Sequence, residues 1–216
     1  VMAIHNPVVT PELFSRAEQP ADHPWFSGLE GTGVPVILGM GRLTKQKDFH
    51  TLIRAFAEVR RNRNCRLMIL GDGSDLGSLK KLVQGLGLAR EVDFPGFHIN
   101  PFPFLSRADL FVLSSIWEGF GMVLVEAMAL GVPVVSTDCP SGPREILRGG
   151  QLGRLVPVGD HLSLAEAMVK TMDNPLSSHI LIAASKDYTI EKVAKDYLET
   201  LSARQSAGKP RHAAGP

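Results

Sequence analysis

From Val34 onward the chain alternates short, mainly apolar runs with stretches of helical periodicity, and many of the runs stop at glycine. Val36-Ile37-Leu38, Arg66–Leu70, Val92-Asp93-Phe94, Leu110–Leu113, Val132–Ser136 and Gly153–Val156 read as strands. Asp48 is placed to cap a helix to about Arg61, with Leu52, Ile53, Phe56 and Val59 on one face. Asp75 or Ser74 caps a second helix through about Gly85, and Met122–Leu130 reads as a third, stopped by Gly131. Pro143 suits the first turn of a short helix to Leu147, and helices near Ser163–Met172, His179–Lys186 and Ile190–Ala203 follow. Strands this short and mainly apolar, without a regular apolar/polar alternation, leave little face for water. Separated by helices, they predict a parallel sheet covered on both sides. The expected fold is α/β, a doubly wound parallel sheet of Rossmann-like type.

The two ends read differently. Residues 1–32 carry Pro7, Pro11, Pro20 and Pro24 and then the glycine cluster 28–33, too much proline for regular ladders. They are expected to be a lead-in that links or wraps rather than forms a core. Residues 33–203 form the expected ligand-binding domain. Residues 204–216 hold no acid and no apolar periodicity, and read as a disordered tail.

Charge and cysteine narrow the functional classes. With 23 Lys+Arg against 22 Asp+Glu the net charge is +1, which supplies no global field for nucleic acid. Cys65 and Cys139 match no metal or redox spacing, and fit a reducing, cytoplasmic compartment. Apolar runs such as Val132–Val135 fall far short of the roughly 20 residues that span a bilayer. The first ten residues lack the basic and apolar regions of a signal peptide.

Ligands of doubly wound sheets sit outside the carboxyl ends of the strands. That edge holds Gly39-Met40-Gly41-Arg42, Gly71-Asp72-Gly73, Gly96-Phe97-His98, Ser114 to Gly121, and Ser136 to Gly142. Glycine admits a close ligand, although it also simply closes turns. Arg42 and Lys47 follow the first strand, and a fork-like guanidinium with a mobile ammonium suits a diphosphate. Two cations at a helix start oppose its dipole unless an anion joins them. Glu118 lies in the loop before Gly119-Phe120-Gly121, which leads into a helix whose free N–H groups, near Gly121 to Val123, make an anion site. Glu126 lies about one turn in, where a carboxylate can accept from both hydroxyls of a ribose.

These residues resemble a known family, the retaining GT-B fold glycosyltransferases of family 4, the "group 1" type. Glu118 and Glu126 match its E-x7-E pattern, and Gly41-Arg42-Leu43 with Lys47 resembles its G-R-L-x-x-x-K segment. Leu70–Gly73, Val92–Phe97, Gly131–Val135 and Gly153–Asp160 resemble its further segments in the same order, so the likeness covers about residues 7–203. It implies one half of a GT-B fold, the C-terminal donor-binding domain. Arg42 and Lys47 would hold the donor diphosphate and Glu126 the ribose. Phe97, with Gly96 and His98, would lie against the base. Phe120, Gly121, Met122 and Val123 would hold sugar and phosphate through the backbone. Glu118 would contact the donor sugar in a catalytic role.

The implied reaction is transfer of a sugar from a nucleotide-diphosphate sugar, expected to be a UDP-sugar, to an acceptor hydroxyl with retained anomeric configuration. No two aspartates stand two apart, as the metal-using glycosyltransferase class requires, so no metal or other cofactor is expected. The expected partners are the nucleotide sugar and an acceptor glycan or lipid-linked sugar. The segment Asp138–Glu145 looks most like that of bacterial members using UDP-linked hexosamines. The chain starts at what resembles the family's interdomain linker, so the acceptor domain is expected to be missing and this fragment alone to transfer little. Arg54, Arg60, Arg61, Arg63 and Arg66 form a basic cluster that reads as a solvated face or as a peripheral contact with anionic lipid at the inner membrane surface. The rival readings are a non-catalytic nucleotide-binding module and an NAD(P)-binding oxidoreductase domain. The second is weak. Gly39-Met40-Gly41 lacks its third glycine, since Thr44 stands there, and no acid ends a strand some 20 residues on.

Overall fold

A computed structural model of the chain describes residues 7–26 and 33–207. Positions 1–6, most of the glycine cluster, and 208–216 of the expected tail lie outside the described residues. Six strands form one sheet: β1 (Val36–Met40), β2 (Arg66–Leu70), β3 (Val92–Gly96), β4 (Leu110–Leu113), β5 (Val134–Thr137) and β6 (Arg154–Val156). Every pairing is parallel, and the order is β3-β2-β1-β4-β5-β6. The helices are α1 (Pro11–Ala17), α2 (Phe49–Arg60), α3 (Leu76–Gly85), α4 (Phe102–Leu105), α5 (Met122–Ala129), α6 (Pro143–Ile146), α7 (His161–Asp173), α8 (Ser178–Ser185) and α9 (Ile190–Ala207). The doubly wound α/β architecture is the one expected.

Successive strand residues point to opposite faces, so the sheet divides its apolar side chains between two cores. Leu38, Met68, Phe111, Leu113 and Val134 pack with α1, α4, α5 and α8. Ile37, Leu67, Ile69, Leu110, Val112 and Val135 pack with α2, α3 and α7. Of the expected caps, Asp48 acts through its side chain, whereas Asp75 stands at the start of α3 without a side-chain capping bond because Ser74 Oγ donates to its carboxylate instead. Asp48 accepts from the Thr51 amide to start α2, and Asp160 accepts from the amides of Leu162 and Ser163 to start α7.

Boundaries differ where tertiary contacts decide them. β1 runs on to Met40, because Met40 pairs with Leu70 in register. β3 includes Pro95 and reaches Gly96; as an edge strand it tolerates a residue without an N–H. β5 begins at Val134 rather than Val132. The short helix α4 has no apolar periodicity to announce it.

The lead-in wraps the sheet and also joins the core. Val9, Leu13, Ala17 and Ala21 are buried in the first apolar cluster. Val8 and Val9 donate to the Tyr188 carbonyl, and His23 Nε2 lies 2.7 Å from Asp93 Oδ2. At the other end α9 continues to Ala207, four residues into the stretch that composition alone reads as tail.

Candidate functional site

The strand order reverses between β1 and β4. The connection from β1 leads outward to β2 and that from β4 to β5, so the two loops part and leave a crevice. Two cavities open there and share Met40 and Gly41 at the end of β1. The first, about 520 Å³, is lined by Arg42, Gly71, Asp72, Phe97, His98 and Pro101 among others. The second, about 600 Å³, is lined by Lys47, Glu118, Phe120, Gly121, Val123 and Glu126 among others.

The floor of the second cavity is an ion pair. Lys47 Nζ lies 2.6 Å from Glu118 Oε1, and the two side chains are only 17% and 8% exposed. Oε1 also accepts from Ser115 Oγ at 2.5 Å. Oε2 of Glu118 takes no hydrogen bond from the described residues, so it is the atom left for a ligand hydroxyl. The surrounding backbone is laced in place. Ser114 Oγ donates to the Lys47 carbonyl at 2.7 Å, the Ile116 amide to the Gln46 carbonyl at 2.8 Å, and Thr137 Oγ1 to the Ser115 carbonyl at 2.6 Å. A buried pair held in place in this way is positioned before any ligand arrives.

The N-terminus of α5 faces the same space. Gly121 caps it at φ 90°, and the amides of Met122 and Val123 reach no acceptor among the described residues. Free first-turn amides and the positive end of the helix dipole favour an anion. One turn in, burial pushes the Glu126 carboxyl above its ordinary pKa, while the Arg16 charge pulls the other way. The Glu126 carboxylate has no hydrogen-bond partner among the described residues. It is a desolvated acceptor facing a cavity.

In the first cavity Arg42 is exposed and makes no side-chain hydrogen bond or ion pair with the described residues. The His98 ring packs 4.5 Å from the Phe104 ring, and its buried Nε2 finds no partner among the described residues. Phe97 is 75% exposed at the rim. A flat apolar rim beside an unmet ring nitrogen suits a heteroaromatic ligand.

Two glycines let the loops meet. A Cβ on Gly71, at φ +139°, would lie 1.9 Å from the Gly41 carbonyl oxygen, so the loop after β2 approaches the loop after β1 only because Gly71 lacks a side chain. A Cβ on Gly142, at φ +95°, would lie 1.6 Å from the Phe120 carbonyl oxygen. The loop leading into α6 thus backs directly onto the loop leading into α5.

The residues singled out from sequence therefore gather on one edge, but not all around one point. Lys47, Glu118, Phe120, Gly121, Met122, Val123 and Glu126 line the second cavity; Arg42 and Phe97 line the first. Arg42 and Lys47 do not converge on a common wall, and Lys47 is already engaged by Glu118. Ser115, the second partner of Glu118, carries no motif, and only its place at a strand end pointed to it. The basic cluster around α2 is largely paired: Arg60 with Glu91, Arg61 with Glu58 and Arg63 with Asp173, while Arg66 stacks on Trp25. No helix among the described residues is long and apolar enough to cross a membrane.

The chain matches the family described as glycosyl transferases group 1 over residues 26–188. It is 36% identical over 175 residues to the lipopolysaccharide core biosynthesis glycosyltransferase LpsE of Rhizobium meliloti, covering 79% of this chain and 50% of LpsE. It is 35% identical over 170 residues to the N-acetylgalactosamine-N,N'-diacetylbacillosaminyl-diphospho-undecaprenol 4-alpha-N-acetylgalactosaminyltransferase of Campylobacter jejuni, covering 76% of this chain and 46% of that protein. Among solved structures, Anabaena HepE in complex with UDP superposes with a TM-score of 0.74 at 25% identity, over 90% of this chain and 54% of that one. The chain thus spans about half the length of these relatives. With its Rossmann-like sheet of GT-B type and the family's model matched over residues 26–188, this chain belongs to the glycosyl transferases group 1.

Proposed function

We propose that this chain is the donor-binding half of a retaining, metal-independent glycosyltransferase that uses a UDP-sugar. The observation that carries the reading is the pair of cavities meeting at Met40 and Gly41. One offers a flat rim and an unmet ring nitrogen; the other offers free helix amides, an ion pair and a desolvated carboxylate. A nucleotide sugar has the complementary order of parts. The base lies against Phe97 and His98, and the ribose hydroxyls donate to Glu126. The diphosphate is held by Arg42, Lys47 and the amides from Phe120 to Val123. Glu118 Oε2 accepts from a hydroxyl of the transferred sugar. HepE, solved with UDP, supports the choice of base.

In transfer, the bond between the anomeric carbon and the diphosphate oxygen breaks, the acceptor oxygen takes its place, and the acceptor hydroxyl's proton passes to the departing diphosphate. Negative charge grows on the departing diphosphate. Fixed cations and oriented amides stabilise that charge without reorganising, which is where catalysis of this kind gains most. The acceptor, a glycan or lipid-linked sugar at the inner membrane face, is supplied by a second domain in this reading, and the chain alone transfers little.

Calorimetric titration with UDP, GDP, ADP and NAD, with and without a chelator, tests this. UDP is expected to bind tightest and to ignore the chelator. Binding of NAD alone overturns the reading. A chelator-sensitive UDP affinity overturns the metal-independent part of it.

A further inference from the structure

The strongest unexplained arrangement lies where the lead-in meets the loop that follows β3. Arg16, on α1, donates from Nη2 to the Ile99 carbonyl at 2.5 Å, and its guanidinium lies 4.8 Å from the centre of the Phe102 ring. Asn100 returns the contact. Its Nδ2 donates to the Arg16 carbonyl and to Gln19 Oε1, each at 2.9 Å. Ser106 Oγ and Arg107 Nη1 both donate to the Ala17 carbonyl at 3.3 Å, tying the end of α1 to the end of α4. The loop so clasped contains Phe97 and His98, which line the first cavity. Apart from the clasp, the His98 ring on Phe104 is the loop's inward packing contact, since Phe97 and Ile99 are 75% and 85% exposed.

We propose that Arg16 is a positioning residue of the nucleotide site: from the lead-in helix it holds the loop Phe97–Asn100 against the cavity that receives the base. The inference rests on the reading of that cavity as a nucleotide site. Arg16 does not touch the ligand. It acts through the Ile99 carbonyl, and its planar cation is fixed from both sides, by a carbonyl in its plane and an aromatic ring beside it.

The same guanidinium has a second effect. Its positive charge opposes the burial of the Glu126 carboxylate. The other charged groups lining that cavity, Lys47 and Glu118, face each other and largely cancel. Removing the cation at position 16 therefore favours the protonated form of Glu126, and a protonated carboxyl is a poorer acceptor for the ribose hydroxyls.

Three forms of the chain test this: wild type, Arg16→Met, which keeps an apolar stem, and Arg16→Lys, which restores a donor and a charge. With UDP as probe, R16M is expected to bind roughly 5- to 10-fold more weakly at neutral pH, in line with the loss of one charge-assisted hydrogen bond. The acid limb of its affinity profile is expected to move to higher pH. R16K is expected to recover most of both, which a purely structural role does not predict. Unchanged affinity and an unchanged acid limb in R16M overturn the proposal. Backbone order parameters of Phe97–Asn100, measured by NMR without ligand, separate this from failure of the nucleotide reading. They are expected to fall in R16M and not in R16K, and equal values in all three forms overturn the clasp whether or not UDP binds.

Discussion

The Lys47 ammonium and the Glu118 carboxylate, 71 positions apart in the chain, meet at 2.6 Å on the floor of the crevice. Neither is well solvated, so each is the other's compensation. Removing one partner strands the other as a buried charge. K47M is expected to cost about 3 kcal/mol of stability, within the range for breaking a buried pair. K47M/E118Q is expected to cost clearly less than the sum of the single changes, because the stranded carboxylate is gone. Urea unfolding of the four forms checks this; strictly additive costs would show that the pair is not a coupled unit.

Glu126 sets stability against function. Burial raises its pKa in the folded protein above the ordinary carboxylate value it has when unfolded. The folded state then holds the proton to a higher pH. The stability that goes with protonated Glu126 is present at low pH, falls as pH rises from the ordinary range through the raised value, and is constant beyond it. E126Q has no such loss. It is expected to match the wild type in acid and to exceed it near pH 7, while binding UDP at least about 10-fold more weakly, as expected when a charged acceptor is lost. Thermal melts across the pH range, with and without UDP, read both effects. A melting advantage for the wild type near pH 7 would sink the argument.

Much of this site was legible before any coordinates. Glycines at strand ends, two cations after the first strand and two glutamates around a helix start mark the ligand edge, because a parallel sheet places those loops together. What distances along the chain do not reveal is pairing across the edge. Lys47 reads as a free phosphate ligand, and only the approach of the β1 and β4 loops shows it bound to Glu118. The helix α4 and the reach of β3 through Pro95 were hidden because contacts, not local propensity, hold them. The proline-rich lead-in misled for a related reason. Proline density reports the absence of ladders, not the absence of burial, and Val9, Leu13 and Ala21 are buried within a segment rich in proline.

Gly142 and Gly119 form a matched pair for testing the loop before α5. A Cβ on Gly142 meets the Phe120 carbonyl at 1.6 Å, on a backbone at φ +95°, whereas one on Gly119 meets nothing within 4 Å. G142A must push the Phe120 loop into the second cavity or leave the left-handed region, at a cost of about 1–3 kcal/mol. It is expected to lose UDP affinity with that stability. G119A is expected to stay within about 0.5 kcal/mol of the wild type in stability and, although Gly119 also lines the second cavity, to lose less UDP affinity than G142A. If both variants bind UDP alike, the contact between these loops does not shape the site.

Leu13 decides whether the lead-in is part of the folded unit. It is 3% exposed and packs in the same apolar cluster as Phe104, Leu105 and the inner face of α5. A linker residue truncated to alanine changes stability by less than about 0.5 kcal/mol, whereas a buried leucine costs about 2–5 kcal/mol through lost burial and the cavity left behind. L13A is expected in the second range. Because α1 also carries Arg16, its loosening is expected to weaken UDP binding together with stability, while the equally conservative change F14A, at a side chain 41% exposed, is expected to do neither. Urea unfolding and UDP titration of both variants measure this. A negligible cost for L13A would mean that the lead-in merely lies on the domain, and that the clasp on the loop after β3 has no fixed anchor.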